Sequence, residues 1–371
     1  MRILYGVPSE GMGHATRSKV LIGYLLSRGH DVRIATSDRA YELLEKAFPG
    51  RCYRIDGLHL RYDRGTVDRF ATFRHLMVAG PEGLKRNLEQ LLALQRDALP
   101  ELVISDFESF TFYAAKLNRL PLLSIDNMQV INRCELGFAI PEQERENFRL
   151  AKTIIKAKVP FCQRYLITSF FDAPIRKKRT ELIPPILREE ILAARERQRN
   201  GQTPRQGHLL VYQTATSQDD LVAQLQGLER EHFLVYGYHR DESHGNVQLK
   251  SFSEAGFIED LASCKGVITN GGFSLISEAL YLQRPVCSFP LFGQFEQFVN
   301  GAEVDALGYG RRFDGFSGDA VRAFLYDLPR LTERVASYEQ EGNRLTFEAL
   351  DRFIEDVQRQ RLETEPENAE P

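Results

Sequence analysis

The sequence predicts an α/β protein built from two doubly wound parallel sheets that face each other across a cleft. Three observations carry this expectation. At 371 residues the chain exceeds what one hydrophobic core usually serves, so two domains are expected. Short β-branched apolar runs alternate with amphipathic stretches, which is the pattern of parallel strands joined by crossover helices. The alternation occurs twice, in residues 1–175 and 207–360, on either side of a charged stretch at 176–206.

The first series opens with a strand over 3–7, a loop over 8–14 and a helix over about 15–28. Gly29 and His30 stop that helix, and a strand follows at 31–35. Residues 57–81 are irregular, aromatic and basic. A long helix is expected over roughly 81–98 and a strand over 102–105, with further units to about residue 168. Pro184-Pro185 and the run RERQRNGQTPRQG mark 176–206 as the interdomain linker. The second series has strands over 208–213, 233–236 and 247–251, and its last helix can pack back on the first domain. The tail 361–371 is acidic and expected to be disordered. In such open sheets a ligand sits in the crevice at the carboxyl ends of the strands.

Composition narrows the function. Hydrophobic content of 43% and charge of 27% are those of an ordinary globular protein. A net charge of −3 argues against a nucleic-acid partner held by bulk electrostatics. Cys52, Cys134, Cys162, Cys264 and Cys287 have no CxxC spacing. They read as core residues of a reducing compartment, not as a disulfide frame or a zinc site. The first apolar run is too short for a signal segment, and nothing approaches 18 consecutive apolar residues, so the expected location is the cytoplasm.

The most informative stretch is residues 267–300, VITNGGFSLISEALYLQRPVCSFPLFGQFEQFVN. A buried strand leads into Gly271-Gly272 and then into an amphipathic helix. Unpaired N–H groups and the positive end of the helix dipole meet at such a turn, which suits a phosphate. Asn270 and Ser274 can add side-chain donors. Glu278 lies one turn beyond Ser274 on the same side, where a carboxylate can accept from a ribose. Pro285 and Pro290 bracket a second buried strand, and Glu296, Gln297 and Asn300 form a polar cluster at the next helix start. The alternative is an ordinary strand–helix turn.

These residues resemble the nucleotide-sugar signature of GT-B glycosyltransferases, in particular the UDP-sugar transferases of small molecules and the lipid-linked N-acetylglucosaminyltransferases. That pattern is a His-Gly-Gly or Asn-Gly-Gly turn, a Glu seven residues after the first glycine, a Gly-x-Pro strand, then Asp/Glu-Gln-x-x-Asn. Here it stands as Asn270-Gly271-Gly272, Glu278, Arg284-Pro285 and Glu296-Gln297-Phe298-Val299-Asn300. Asn270 replaces the histidine common in the small-molecule enzymes, and Arg284 stands where glycine usually precedes proline. The resemblance implies a GT-B fold and an inverting, metal-independent hexosyl transfer from a nucleotide-diphospho-sugar, a UDP-sugar by preference, with no cofactor. It also implies that the backbone at Phe257-Ile258 holds the base and that Thr214, in the loop 213–217, reaches the diphosphate. Core packing is the alternative for Phe257 and Ile258. No Asp-x-Asp metal pair is found; Asp219-Asp220 are adjacent and read as a helix start.

A second locus is GVPSEGMGHATRS, residues 6–18, which resembles the glycine-rich first loop of the same enzymes. Gly11 and Gly13 allow close approach of a substrate. His14 at the loop–helix junction can act as general base on an acceptor hydroxyl, or merely cap the helix. A dinucleotide loop is disfavoured because Thr16 stands where the third glycine of GxGxxG belongs. A base histidine needs an orienting carboxylate. Asp106, after the strand 102–105, is the candidate, with a helix N-cap as its alternative, and Glu10 is a second carboxylate. Asp126 and Asn127, after another apolar run, line the acceptor pocket or form a turn. Arg61, Arg64, Arg69 and Arg74, interleaved with Tyr62, Phe70 and Phe73, suit an anionic or lipid-linked acceptor or peripheral contact with a membrane; a solvated loop is the alternative. Two other readings share the architecture: a sugar-nucleotide epimerase and a non-catalytic nucleotide-sugar sensor.

Overall fold

The computed structural model of the protein describes residues 1–9, 11–56, 62–63, 66–67, 99–203, 206–212 and 221–364, with helical positions between 85 and 96. Glu10, Thr214 and the rest of the loop 213–217, Asp219-Asp220, Arg61, Arg64, Arg69, Arg74, Phe70, Phe73 and the end of the tail lie outside the described residues, as does most of the helix expected over 81–98.

The first sheet contains β1 (Arg2–Val7), β2 (Asp31–Thr36), β3 (Cys52–Arg54), β6 (Leu102–Ser105), β7 (Leu122–Asp126), β8 (Arg164–Thr168) and β9 (Thr180–Ile183). A two-stranded ribbon, β4 (Tyr62–Asp63) and β5 (Thr66–Val67), stands apart from it. The spatial order is β3-β2-β1-β6-β7-β8-β9, and every pairing is parallel. Strands covered on both faces are mostly apolar, and LVIS of β6 and LLSID of β7 are buried throughout, with Ser105 and Asp126 at their carboxyl ends.

The second sheet contains β10 (His208–Tyr212), β11 (His232–Tyr236), β12 (Glu242–His244), β13 (Val247–Lys250), β14 (Gly266–Thr269), β15 (Val286–Ser288) and β16 (Gly310–Arg312). Its order is β12-β13-β11-β10-β14-β15-β16, parallel except for the edge strand β12. Each sheet reverses its winding once, between β1 and β6 and between β10 and β14. Ligand crevices of open α/β sheets form at such reversals.

The charged stretch 176–206 is itself structured, holding β9 and the helix Glu189–Arg199. The last helix, Arg344–Thr364, crosses back onto the first sheet. Its Leu350, Phe353, Ile354 and Val357 join the core of Ile3, Leu102, Leu123 and Leu166. Phe347 stacks on Tyr24 with centroids 3.9 Å apart, and Tyr24 Oη donates to Asp351 at 2.6 Å. The halves also meet through an aromatic seam: Phe138 with Phe298, Phe148 with Phe295 and Phe170 with Phe273, centroids 5.3–5.8 Å apart. All five cysteines are free, four of them buried. Among the described residues no helix is long and apolar enough to cross a membrane.

Candidate active site

The reversal of the first sheet brings together the segments that follow β1 and β6. Gly11 has φ of 82°, a conformation that favours glycine, and there the chain turns from β1 into the helix Met12–Ser27. The helix starts at Met12, three residues before the position expected from sequence. Gly13 and His14 therefore lie in its first turn rather than in a loop.

His14 Nδ1 is 2.8 Å from Asp106 Oδ1. Asp106 is 1% exposed, and the His14 side chain is 16% exposed. Asp106 does not cap the next helix, Ser109–Leu117. Glu108 does, accepting from the N–H groups of Phe110 and Thr111 at 2.7 and 2.8 Å. Asp106 instead gathers donors. Arg17 Nε donates to Oδ2 at 2.8 Å, Arg17 Nη2 to Oδ1 at 2.5 Å and Ser18 Oγ to Oδ2 at 3.0 Å. Burial alone would raise its pKa. The charges of Arg17 and His14 and their hydrogen bonds more than offset burial and hold the carboxyl well below the usual range. An ionised carboxylate only accepts, so Nδ1 carries the proton of the His14–Asp106 bond and Nε2 keeps its lone pair.

Asp126, on the neighbouring strand β7, has the opposite fate. Burial pushes its pKa up, and the nearby Asp106 charge adds to this, against hydrogen bonds from Ser124 Oγ and the Gln129 N–H. Two carboxyl groups at adjacent strand ends are thus driven apart in pKa, a pattern found where acid and base roles divide. Asn127, next in sequence, accepts from Arg17 Nη1 at 2.7 Å and donates to Glu296 Oε1 at 2.7 Å. This contact ties the first sheet to the helix Phe295–Ala306 that follows β15.

In the second sheet, β14 ends at Asn270-Gly271-Gly272 before the helix Phe273–Tyr281. Gly271 has φ of 95°, and a Cβ there would lie 2.8 Å from Gln297 O and 2.9 Å from Ser288 Oγ. No side chain caps this helix, so its first N–H groups stay available to an anion. Asn300 Nδ2 donates to Gly271 O at 3.0 Å and holds the turn. Asn270 Nδ2 donates to Phe289 O at 3.3 Å, and Gln297 Oε1 accepts from the Leu291 N–H at 3.0 Å, so both brace neighbouring loops. The two loci touch: a Cβ on Gly13 would lie 2.5 Å from Ser274 Oγ.

Glu278 is buried, 6% exposed, and its carboxylate meets Arg188 in a fork, Nε to Oε1 and Nη2 to Oε2, both at 2.7 Å. Arg188 also donates to Glu254 through Nη1 at 2.9 Å. Phe257 and Ile258 are buried, and the Phe257 ring packs edge-on against Tyr212 and Tyr236. Sequence reasoning missed Arg17 and Arg188. Arg17 was within reach of a spacing argument, since it lies three residues after His14 on the same helix face. No local signal marks Arg188, whose partner is 90 residues away.

Comparison with known proteins gives the family and the fold. A family model described as glycosyl transferase family 1 matches residues 1–329. An uncharacterized glycosyltransferase of Methanosarcina acetivorans is 24% identical over 343 residues, covering 84% of this chain and 85% of that protein. Among solved structures, the glycotransferase of kitacinnamycin superposes with a TM-score of 0.65 at 18% identity, over 95% of this chain and 98% of that one. Phytolacca americana UGT2, solved with UDP-2-fluoro-glucose and pterostilbene, gives 0.63 at 14% identity over 95% and 98%. At these identities the structural likeness establishes the fold, GT-B.

Proposed function

The chain belongs to glycosyl transferase family 1, and on that premise we propose that it moves a hexosyl group from a UDP-sugar to an acceptor hydroxyl with inversion and without a metal ion. The observation that carries this reading is the meeting of two loci. The His14–Asp106 pair, after β1 and β6, stands beside the Asn270–Ser274 turn, with Gly13 against Ser274.

His14 Nε2 takes the proton of the acceptor hydroxyl as that oxygen attacks the anomeric carbon from the face opposite the leaving diphosphate. Asp106 orients the ring and stabilises the imidazolium that forms. The departing diphosphate gathers charge at the N-terminus of the helix Phe273–Tyr281, where N–H groups and the helix dipole stabilise it in the place a cation would otherwise take. Glu278 accepts from ribose hydroxyls with the lone pairs that Arg188 leaves open. Glu296 and Gln297 contact the sugar. The backbone at Phe257 and Ile258 holds the base, and Asp126 and Asn127 border the acceptor. Phytolacca americana UGT2 was solved with a UDP-sugar analogue, and its shared fold supports the choice of UDP.

The test is turnover against donor binding in His14→Ala. General-base catalysis contributes about 10²–10⁴-fold. The variant should lose that much UDP-sugar turnover while calorimetry finds UDP binding intact. Wild-type turnover in His14→Ala would remove the base. A product with an altered sugar still on UDP would make the protein an epimerase, and binding with no turnover in the wild type would make it a sensor.

A further inference from the structure

We propose that Arg17 is a positioning residue that fixes the His14 imidazole in the Nδ1–H tautomer and fastens the His14–Asp106 pair to the helix Phe295–Ala306 of the second half. The proposal deepens the reading of His14 as base and rests on it.

Arg17 is 5% exposed, and each end of its guanidinium has a separate task. Nε and Nη2 grip both oxygens of Asp106, at 2.8 and 2.5 Å. Nη1 donates to Asn127 Oδ1 at 2.7 Å, and Asn127 Nδ2 in turn reaches Glu296. Nη2 also lies 2.7 Å from His14 Nδ1. That triangle is a tautomeric fork. If Nδ1 accepted from Arg17, the imidazole proton would sit on Nε2 and no lone pair would face the cleft. The guanidinium avoids this by holding Asp106 as an anion, whose Oδ1 then draws the proton to Nδ1.

The other charges facing the cluster are Asp126 and Glu296, which act on Arg17 from β7 and from the helix Phe295–Ala306. Lysine carries the charge of arginine but not its planar fork, so it cannot hold Asp106 and Asn127 together. The link through Asn127 to Glu296 makes the alignment of the base depend on contact between the halves of the molecule.

The experiment is NMR of the full-length protein labelled with ¹³C and ¹⁵N in histidine, read for the ring tautomer, with His14 assigned by the signal missing in His14→Ala. The wild type should show the Nδ1–H tautomer. In Arg17→Met, Asp106 loses the guanidinium that holds it as an anion, and the Nε2–H tautomer should gain population. In Arg17→Lys, which keeps the charge without the planar fork, the Nε2–H tautomer should gain less population than in Arg17→Met. Arg17→Gln carries the expectation of Arg17→Met if that variant does not fold. A wild-type tautomer population in a folded charge-neutral variant, or an Nε2–H wild type, overturns the proposal. These outcomes do not depend on turnover. A failed base shows instead as wild-type turnover in His14→Ala, whatever tautomer the spectra show.

Discussion

Asp106→Ala isolates the energetics of the catalytic corner. In the native protein Asp106 and Arg17 are 1% and 5% exposed, and the carboxylate accepts from Arg17 twice and from Ser18 once, in addition to its bond with His14. Alanine leaves a guanidinium out of water with Asn127 Oδ1 as its remaining strong acceptor. Removing one partner of a buried pair costs about 3–5 kcal/mol, because a charge is left unpaired. For a domain of about 150–250 residues that corresponds to about 6–20 °C in Tm. Asp106→Ala combined with Arg17→Met removes both charges and should recover most of the loss, since apolar replacement of a buried pair is often neutral. Scanning calorimetry of the two single variants and the double variant measures the cycle. The reasoning is wrong if Asp106→Ala costs less than about 1 kcal/mol, or if the double variant is as unstable as the two single losses added.

Glu278→Ala should weaken UDP binding by about 1.5–3 kcal/mol, the range for a hydrogen bond to a charged group, and unchanged calorimetric affinity in a folded variant would remove the ribose role. Glu296→Ala and Gln297→Ala should each weaken a UDP-sugar more than bare UDP; equal losses for both ligands would assign these residues to structure. Gly13→Ala should lower turnover, because its Cβ would lie 2.5 Å from Ser274 Oγ; Ser274→Ala in the same chain should restore part of it, and full activity in the single variant would show that the halves need not approach so closely. Asp106 and Asp126 should pull the pH dependence of stability in opposite directions. The depressed pKa of Asp106 gives stability that is present above the unfolded carboxylate range, about 3.9, and is lost as pH falls through its lower folded pKa. The raised pKa of Asp126 makes stability fall as pH climbs from that range through the higher folded pKa, so Asp126→Asn should be at least as stable as the wild type at pH 7 in thermal melts.

The parts of the fold that were legible in the sequence are those fixed by local pattern. Runs such as LVIS and GVIT are mostly apolar and fully buried because a parallel sheet is covered on both faces, and Gly271 stands where a Cβ would strike Gln297 and Ser288. The adjacency of His14 and Asp106 followed from placing both at carboxyl ends of strands, and the order β2-β1-β6 makes those ends neighbours. Where long-range contacts decide, the sequence was silent. Arg17 looked like one more basic residue on a helix until the fold buried it against Asp106, 89 residues away. Glu278 carried a spacing signal, but nothing local showed that its carboxylate is shared with Arg188. The first helix begins earlier than Pro8, Gly11 and Gly13 suggest, because Gly11 takes the positive φ before the helix and Gly13 is itself helical.

On the proposed function, the N-terminus of the helix Phe273–Tyr281 receives a nucleotide diphosphate beside the His14–Asp106 pair. A crystal structure of the UDP complex tests it most directly. The account predicts phosphate oxygens within hydrogen-bond distance of the N–H groups of residues 271–274, the ribose at Glu278 and His14 Nε2 facing the open side of the terminal phosphate. An ordered UDP whose diphosphate lies away from that turn would contradict it.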